Sequence, residues 1–247
     1  ALYGVNTSSV SDIGRVDGLF AFKDEDFDKM RVFTNNGSLS NCFEKFSKEY
    51  KSFDAVICSN DFAAVSLVRN LSKEDPETLK SLKILSCAKT KLSGFYKNMI
   101  TSVNMNFEQY GKAAVFIYEK LKAHPYMSGI TVTVKWNNEN EKTPRHKTVT
   151  LENDNNDYEF YADVEMRDML TVEQVLNFCS DTDMLILTSL INGLTLEETA
   201  SRCFLTEGGV KYRIKRILTE CKLSDKSELL KLIKEYLTMN GEKFETK

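Results

Sequence analysis

Within residues 207–222, five basic side chains (Lys211, Arg213, Lys215, Arg216 and Lys222) stand against two acidic ones, Glu207 and Glu220. The whole chain carries a formal charge of −3, so this segment runs against its background. A basic helix in an acidic protein suits a phosphate backbone, because each neutralised phosphate releases condensed counterions. Charge alone more often marks the solvated face of an ordinary surface helix. A second chemical candidate is Asn60, just after an apolar run, whose amide can both donate to and accept from a hydroxylated ligand. The same residue, or Asp61, is also well placed simply to cap the helix that follows.

Other chemistries find little support. Neither a G-x-S-x-G nucleophile turn nor a phosphate-binding glycine loop is present, and no acid, base and nucleophile converge, so no catalytic residue is assigned. Six cysteines (Cys42, Cys58, Cys87, Cys179, Cys203 and Cys221) are scattered without a C-x-x-C pair, and there are only two histidines. Paired zinc ligands are therefore missing; the thiols read as buried side chains in a reducing cytosol, and neither metal nor cofactor is expected. The stretch Glu152–Asp157 is acidic but lacks the glycine and terminal Glu spacing of a calcium loop.

The basic residues need an element to hold them. Thr195 with Glu198 makes a capping box for one helix, whose inner face is Leu196, Ala200 and Cys203. Thr206 caps the next, and Gly208-Gly209 let its first turn approach another surface closely. Val210, Ile214, Ile217, Leu218 and Cys221 then form one apolar stripe. Lys211, Tyr212, Lys215 and Thr219 lie opposite, with Arg213 and Arg216 on the flanks. The N-terminal half of this second helix is small or polar enough to enter a major groove.

Thr206-Glu-Gly-Gly-Val-Lys211, then Ile214, Ile217-Leu218 and Leu223-Ser-Asp-Lys-Ser-Glu-Leu229, resemble the DNA-binding domain of the LuxR/NarL family. That family reads roughly S-E-x-T-V-K…I-L-x-K-L-x-V-x-x-K-x-E-L. Thr188 to Ala200 is similar to its L-x-x-G-x-S-x-x-E-I-A helix. The resemblance covers about residues 180–237 and implies a four-helix helix-turn-helix domain. It implies DNA contacts from Lys211 and Lys215, with Tyr212 and Arg213 nearby and Thr206 at the helix start. Gly209 departs from the usual Thr or Val, and Met184 lies in a segment where the family commonly places a Glu.

The 247 residues, 42% hydrophobic and 28% charged, suffice for two globular domains. Three prolines and eleven glycines argue against disorder or fibres, and no apolar run approaches the ~20 residues needed to span a bilayer. The expected location is the cytoplasm, with no membrane contact. Strands are expected at residues 2–5, 31–33, 54–58 and 83–87, and helices at 12–20, 40–50 and 61–71. That alternation indicates an α/β fold with a parallel sheet. Its ligands would lie beyond the carboxyl ends of the strands, at residues 6–9, 59–61 and 88–91. Further on, Ile130–Trp136 and His146–Leu151 alternate as a hairpin, Thr171–Phe178 is a lead-in helix, and the last helix, with Leu229, Leu230, Leu232, Ile233 and Leu237, is a candidate dimer seam.

Asp54-Ala-Val-Ile-Cys-Ser-Asn60-Asp61-Phe-Ala-Ala64 resembles the D-A-V/I-x-x-x-N-D-x-x-A signature of LacI/GalR sensor domains, relatives of periplasmic sugar-binding proteins. Ile100 to Ala114 is similar to that family's L-T-T-I/V-x-Q-x-x-x-x-L/M-G-x-x-A, and Ala1–Val5 with Arg15–Gly18 to its opening motif. The resemblance covers about residues 1–152. It implies a ligand site containing Asn60 and Asp61, Phe107 and Tyr110 at the lobe crossover, and Arg15. Ala88 stands where an acidic residue usually grips sugar hydroxyls, and a stacking aromatic is replaced near Gly37.

The resemblance further implies a first lobe ahead of Leu2, so the chain is expected to be a truncated sensor with its second lobe and crossings. The helix 107–121 would then expose Ala113, Ala114, Phe116, Ile117 and Leu121 unless another copy, or another piece of the protein, covers them. The expected organisation is a sensor portion at 1–152, a linker and lead-in helix at 153–179 and a LuxR-type domain at 180–247. The expected function is a ligand-responsive bacterial transcription regulator, a homodimer on double-stranded DNA with a small-molecule effector. The alternative is a solute-binding module with a helical protein-interaction tail.

Overall fold

The computed structural model describes residues 1–21, 30–35, 37–105, 107–134 and 162–238. Among these, five strands form one parallel sheet in the order β2-β1-β3-β4-β5. The strands are β1 (Leu2–Val5), β2 (Val32–Thr34), β3 (Ala55–Cys58), β4 (Lys83–Cys87) and β5 (Ile100–Val103). Helices α1 (Val10–Ala21), α2 (Leu39–Phe46), α3 (Asp61–Glu74), α4 (Pro76–Ser81) and α5 (Lys91–Gly94) alternate with them. Every residue of the interior strand β1 is buried, as expected where helices cover a parallel strand on both faces, whereas Ile57 of β3 and Leu85 of β4 are exposed. Gly4 adopts φ +77°, and a Cβ there would lie 2.6 Å from that of Ala63; its absence lets α3 press directly on β1.

The apolar core holds Tyr3, Phe33 and Phe46, with edge-to-face ring contacts at 5.1–5.3 Å. The expected helix 40–50 stops at Phe46, and Tyr50–Ser52 forms a separate 3₁₀ turn. The expected strand at Ile130–Trp136 is not formed over residues 130–134; alternation makes a strand only where a neighbour supplies the ladder. The other half of that hairpin and the acidic linker lie outside the described residues.

Helix α6 (Phe107–Ala123) buries no residue, and Phe107, Tyr110, Val115, Phe116 and Tyr118 are exposed. Among the described residues, no helix is long and apolar enough to cross a membrane.

The C-terminal part is helical: α7 (Val164–Phe178), α8 (Asp181–Ile191), α9 (Leu196–Arg202), α10 (Glu207–Glu220) and α11 (Lys226–Leu237). Helix α7 is more than a lead-in. Its Met166, Met169, Val172, Val175 and Leu176 are buried, and they join one apolar core with Leu67 and Leu92 of the sheet layer and with Ile217, Leu229 and Ile233 of the helical unit. The helical unit is therefore docked on the sheet layer rather than tethered beside it.

The docking finishes at the carboxyl end of α11, where helix carbonyls have no partner within the helix. Arg69 donates from Nη1 to the Glu235 carbonyl (2.6 Å) and from Nη2 to its carboxylate (3.0 Å). Its guanidinium also lies 3.9 Å from the Tyr236 ring centre, and the Tyr96 hydroxyl donates to the Tyr236 carbonyl at 2.5 Å. Leu229, Ile233 and Leu237 are consumed by this interface. The α11 face read as a dimer seam is thus occupied within the chain, a correction to that expectation. The Arg69 side chain is only 11% exposed, so R69A is expected to cost about 2 kcal/mol, the scale of charged hydrogen bonds. A urea titration checks this, and a loss under ~0.5 kcal/mol would mean the clasp contributes little.

Candidate nucleic-acid interface

Helices α9 and α10 are two capped helices joined by a tight turn, each built from local rules. Glu198 N–H donates to Thr195 Oγ1 (3.2 Å), and Thr195 N–H to Glu198 Oε2 (2.7 Å), closing the capping box. After α9 the chain turns through Phe204 at φ +54°, with Leu205 N–H on the Ala200 carbonyl (2.9 Å). Thr206 Oγ1 then accepts from Gly209 N–H at 3.1 Å and starts α10. Val210, Ile214 and Ile217 are buried, Val210 and Ile214 packing with Ile186, Ala200 and Cys203. The apolar stripe thereby fixes which face of α10 looks outward.

Lys211, Tyr212 and Lys215 occupy that outward face and are exposed, Tyr212 at 67%. Lys211 Nζ sits 3.6 Å from Glu207 Oε2, a surface pair too weak to keep it from a stronger anion. Arg213 is placed differently. Its Nη1 donates to Asp183 Oδ1 at 2.8 Å, and Arg216 Nη2 donates to Asp183 Oδ2 at 2.9 Å. The Asp183 side chain is fully buried. Burial alone would raise its pKa, but hydrogen bonds from Ser180 and Arg213 outweigh that and hold it below the usual carboxylate range. Two of the five basic residues thus tie α10 to α8, Arg216 while still exposed, and Lys211, Lys215 and Lys222 also lie on the exposed surface.

Sequence reasoning did not find Asp183, although the Ser180–Asp183 capping box is a readable signal. It also passed over Phe204, 96% exposed in a left-handed backbone conformation that bulky side chains rarely adopt. Gly208 and Gly209 are not required by internal packing: the nearest heavy atom to a Cβ at either is Thr206 Oγ1, at 3.8 and 3.4 Å.

The residues expected to bind an effector separate into different roles. Asn60 caps α3, its Oδ1 accepting from Ala63 N–H at 2.9 Å, while its Nδ2 donates to Ser59 Oγ at 3.3 Å. Asp61, expected as a ligand contact, is an interior residue at 1% exposure. Its carboxylate accepts from the hydroxyls of Ser86, Ser93 and Ser102 and from the amide and hydroxyl of Thr90. Those bonds overcome the upward push of burial and lower its pKa; with its oxygens so engaged, Asp61 is a structural hub and the ligand assignment is corrected. Arg15 pairs with Asp12 at 2.5 Å on α1. Phe107 and Tyr110 stand open on α6. N60A is expected to cost about 1 kcal/mol through loss of the cap; an unchanged melting temperature would return Asn60 to the ligand reading.

Among the described residues no group of three or more His, Cys, Asp and Glu could hold a metal. Burial pushes the thiols of Cys42 and Cys179 up to about 12, which leaves them protonated and poor nucleophiles. No protein-family model and no curated protein matches the chain.

Proposed function

We propose that the chain is a ligand-responsive transcription regulator that binds duplex DNA through α10, with the α/β layer sensing a small-molecule effector. The observation that carries this reading is the pairing of an outward basic and aromatic face (Lys211, Tyr212, Lys215) with a buried opposite face on the second helix of a capped helix-turn-helix. Lysines supply phosphate attraction, and the glycine-bearing first turn allows close approach to base edges. The protein acts as a cytoplasmic homodimer. Effector binding shifts the population between arrangements of the α/β layer and so resets the spacing of two readers on DNA. Fluorescence anisotropy with a labelled duplex tests this: binding should weaken steeply with salt, and absence of binding at low salt removes the proposal.

The fully exposed Phe204 favours a second reading, in which α8–α11 is a protein-contact unit attached to a solute-binding module. Calorimetry with small sugars, nucleosides and amino acids separates the two, since solute binding without DNA binding supports only the second.

A further inference from the structure

The corner between β4 and α5 is held in an unfavourable shape. Ala88 has φ +126° and Lys89 φ +53°, conformations that glycine adopts easily and alanine does not. Ala88 N–H is tied to the Val103 carbonyl (3.1 Å) and Lys89 N–H to Ser102 Oγ (2.9 Å). This corner stands at the carboxyl end of a parallel strand, the side from which ligands reach such sheets.

Two carboxylates grip the short helix that follows. Asp61, anchored in the sheet layer, accepts from Thr90 N–H (2.7 Å), Thr90 Oγ1 (3.0 Å) and Ser93 Oγ (2.7 Å). Glu173, on α7, accepts from Lys91 N–H (3.0 Å) and Leu92 N–H (2.7 Å). Lys91 Nζ returns the contact by donating to the Leu176 carbonyl at 2.9 Å. One residue beyond Glu173, Gln174 Nε2 donates to the Glu220 carbonyl at the end of α10 (3.0 Å). The route from strand end to DNA-facing helix therefore runs through direct bonds: Asp61, α5, Glu173, α7, α10. A bidentate carboxylate is a stiff, charge-assisted link, so α5 cannot shift without pulling on α7.

We infer that Glu173 is a positioning residue of the reader, which transmits changes at the strained 88–93 corner to α7 and on to α10. An effector that relaxes or tightens this corner reorients the DNA-facing helix through that carboxylate. The functional meaning rests on the DNA-binding reading above, but the coupling itself is measurable without DNA.

The experiment is a double-mutant cycle read by hydrogen exchange on the full chain: the parent protein, A88G, E173A and the pair. Ala88→Gly relaxes the corner without touching α7. With Glu173 present, it should change exchange in peptides of α7 and α10 by about threefold or more, and in the E173A background that remote change should vanish. A response confined to residues 83–103, or equal in both backgrounds, overturns the inference. Should E173A fail to fold, E173Q keeps one acceptor oxygen and should retain only part of the remote response; a full response would overturn the inference as well. Duplex titration of the same proteins decides the DNA reading separately: if none binds, that reading falls while the exchange cycle still decides the coupling.

Discussion

Replacing Lys211 and Lys215 together by alanine should lower affinity for duplex DNA by roughly one to two orders of magnitude at physiological salt, and flatten the log K against log salt slope by about 1.8. The size follows from counterion release. Each lysine that neutralises one phosphate adds about 0.9 to the slope, and two independent contacts add. Both side chains are exposed, so their removal leaves no buried group unpaired and the fold should be unaffected. That separation gives the test its force, because circular dichroism and melting temperature should match the parent while binding collapses. An unchanged slope would show that neither lysine meets phosphate, whatever happened to affinity. Loss of binding on one sequence but not on others would mean that the lysines read bases instead of backbone.

The parts of the fold visible in the sequence are those whose physics is local. Strands β1, β3 and β4 announce themselves as short apolar runs, the mark of parallel strands, although Ile57 and Leu85 on β3 and β4 remain exposed; β5 alternates burial at its start and carries Thr101 and Ser102, which hide it from that pattern. Asp75 caps α4 and Pro76 opens it, signals present in the sequence but attached to a helix too short to show a periodic stripe. The role of α7 could not be read at all. Its spacing of Met166, Met169, Val172 and Val175 specifies one apolar face, but not that this face meets the sheet layer and α11 together. The candidate interface divides in the same way. The outward set Lys211, Tyr212 and Lys215 follows from the stripe opposite it. The pairing of Arg213 and Arg216 depends on Asp183, 30 and 33 residues away, beyond the reach of any local pattern. Asn60 and Asp61 sit in a motif that raised both capping and binding, and only the position of Ala63, Ser86, Ser93 and Ser102 shows what their oxygens are doing.

Asp183→Asn is expected to damage the helical unit strongly, at about 2–3 kcal/mol, or roughly 5–10 °C in melting temperature for a chain of this size. The carboxylate is fully buried, while its partners Arg213 and Arg216 are 30% and 43% exposed. The arginines can therefore turn to water when their partner loses its charge, which keeps the cost below that of a wholly buried pair. What cannot relax is the acid's own site, where Asn must still meet the amide and hydroxyl of Ser180. The pH dependence gives an independent check. Folding depresses the Asp183 pKa, so its stabilisation is present above the unfolded value, about 3.9, and is lost as pH falls through the folded one. Melting curves of the parent and the variant should consequently differ most near neutrality and converge as the solution is acidified below about pH 4. A gap that persists in acid would assign the effect to packing rather than charge. DNA affinity alone would mislead here: the substitution loosens α10, yet it also makes the reader one charge more basic and strengthens nonspecific attraction to phosphate. The salt slope resolves that ambiguity, since freed arginines that reach phosphate must steepen it, whereas a merely loosened helix leaves it unchanged.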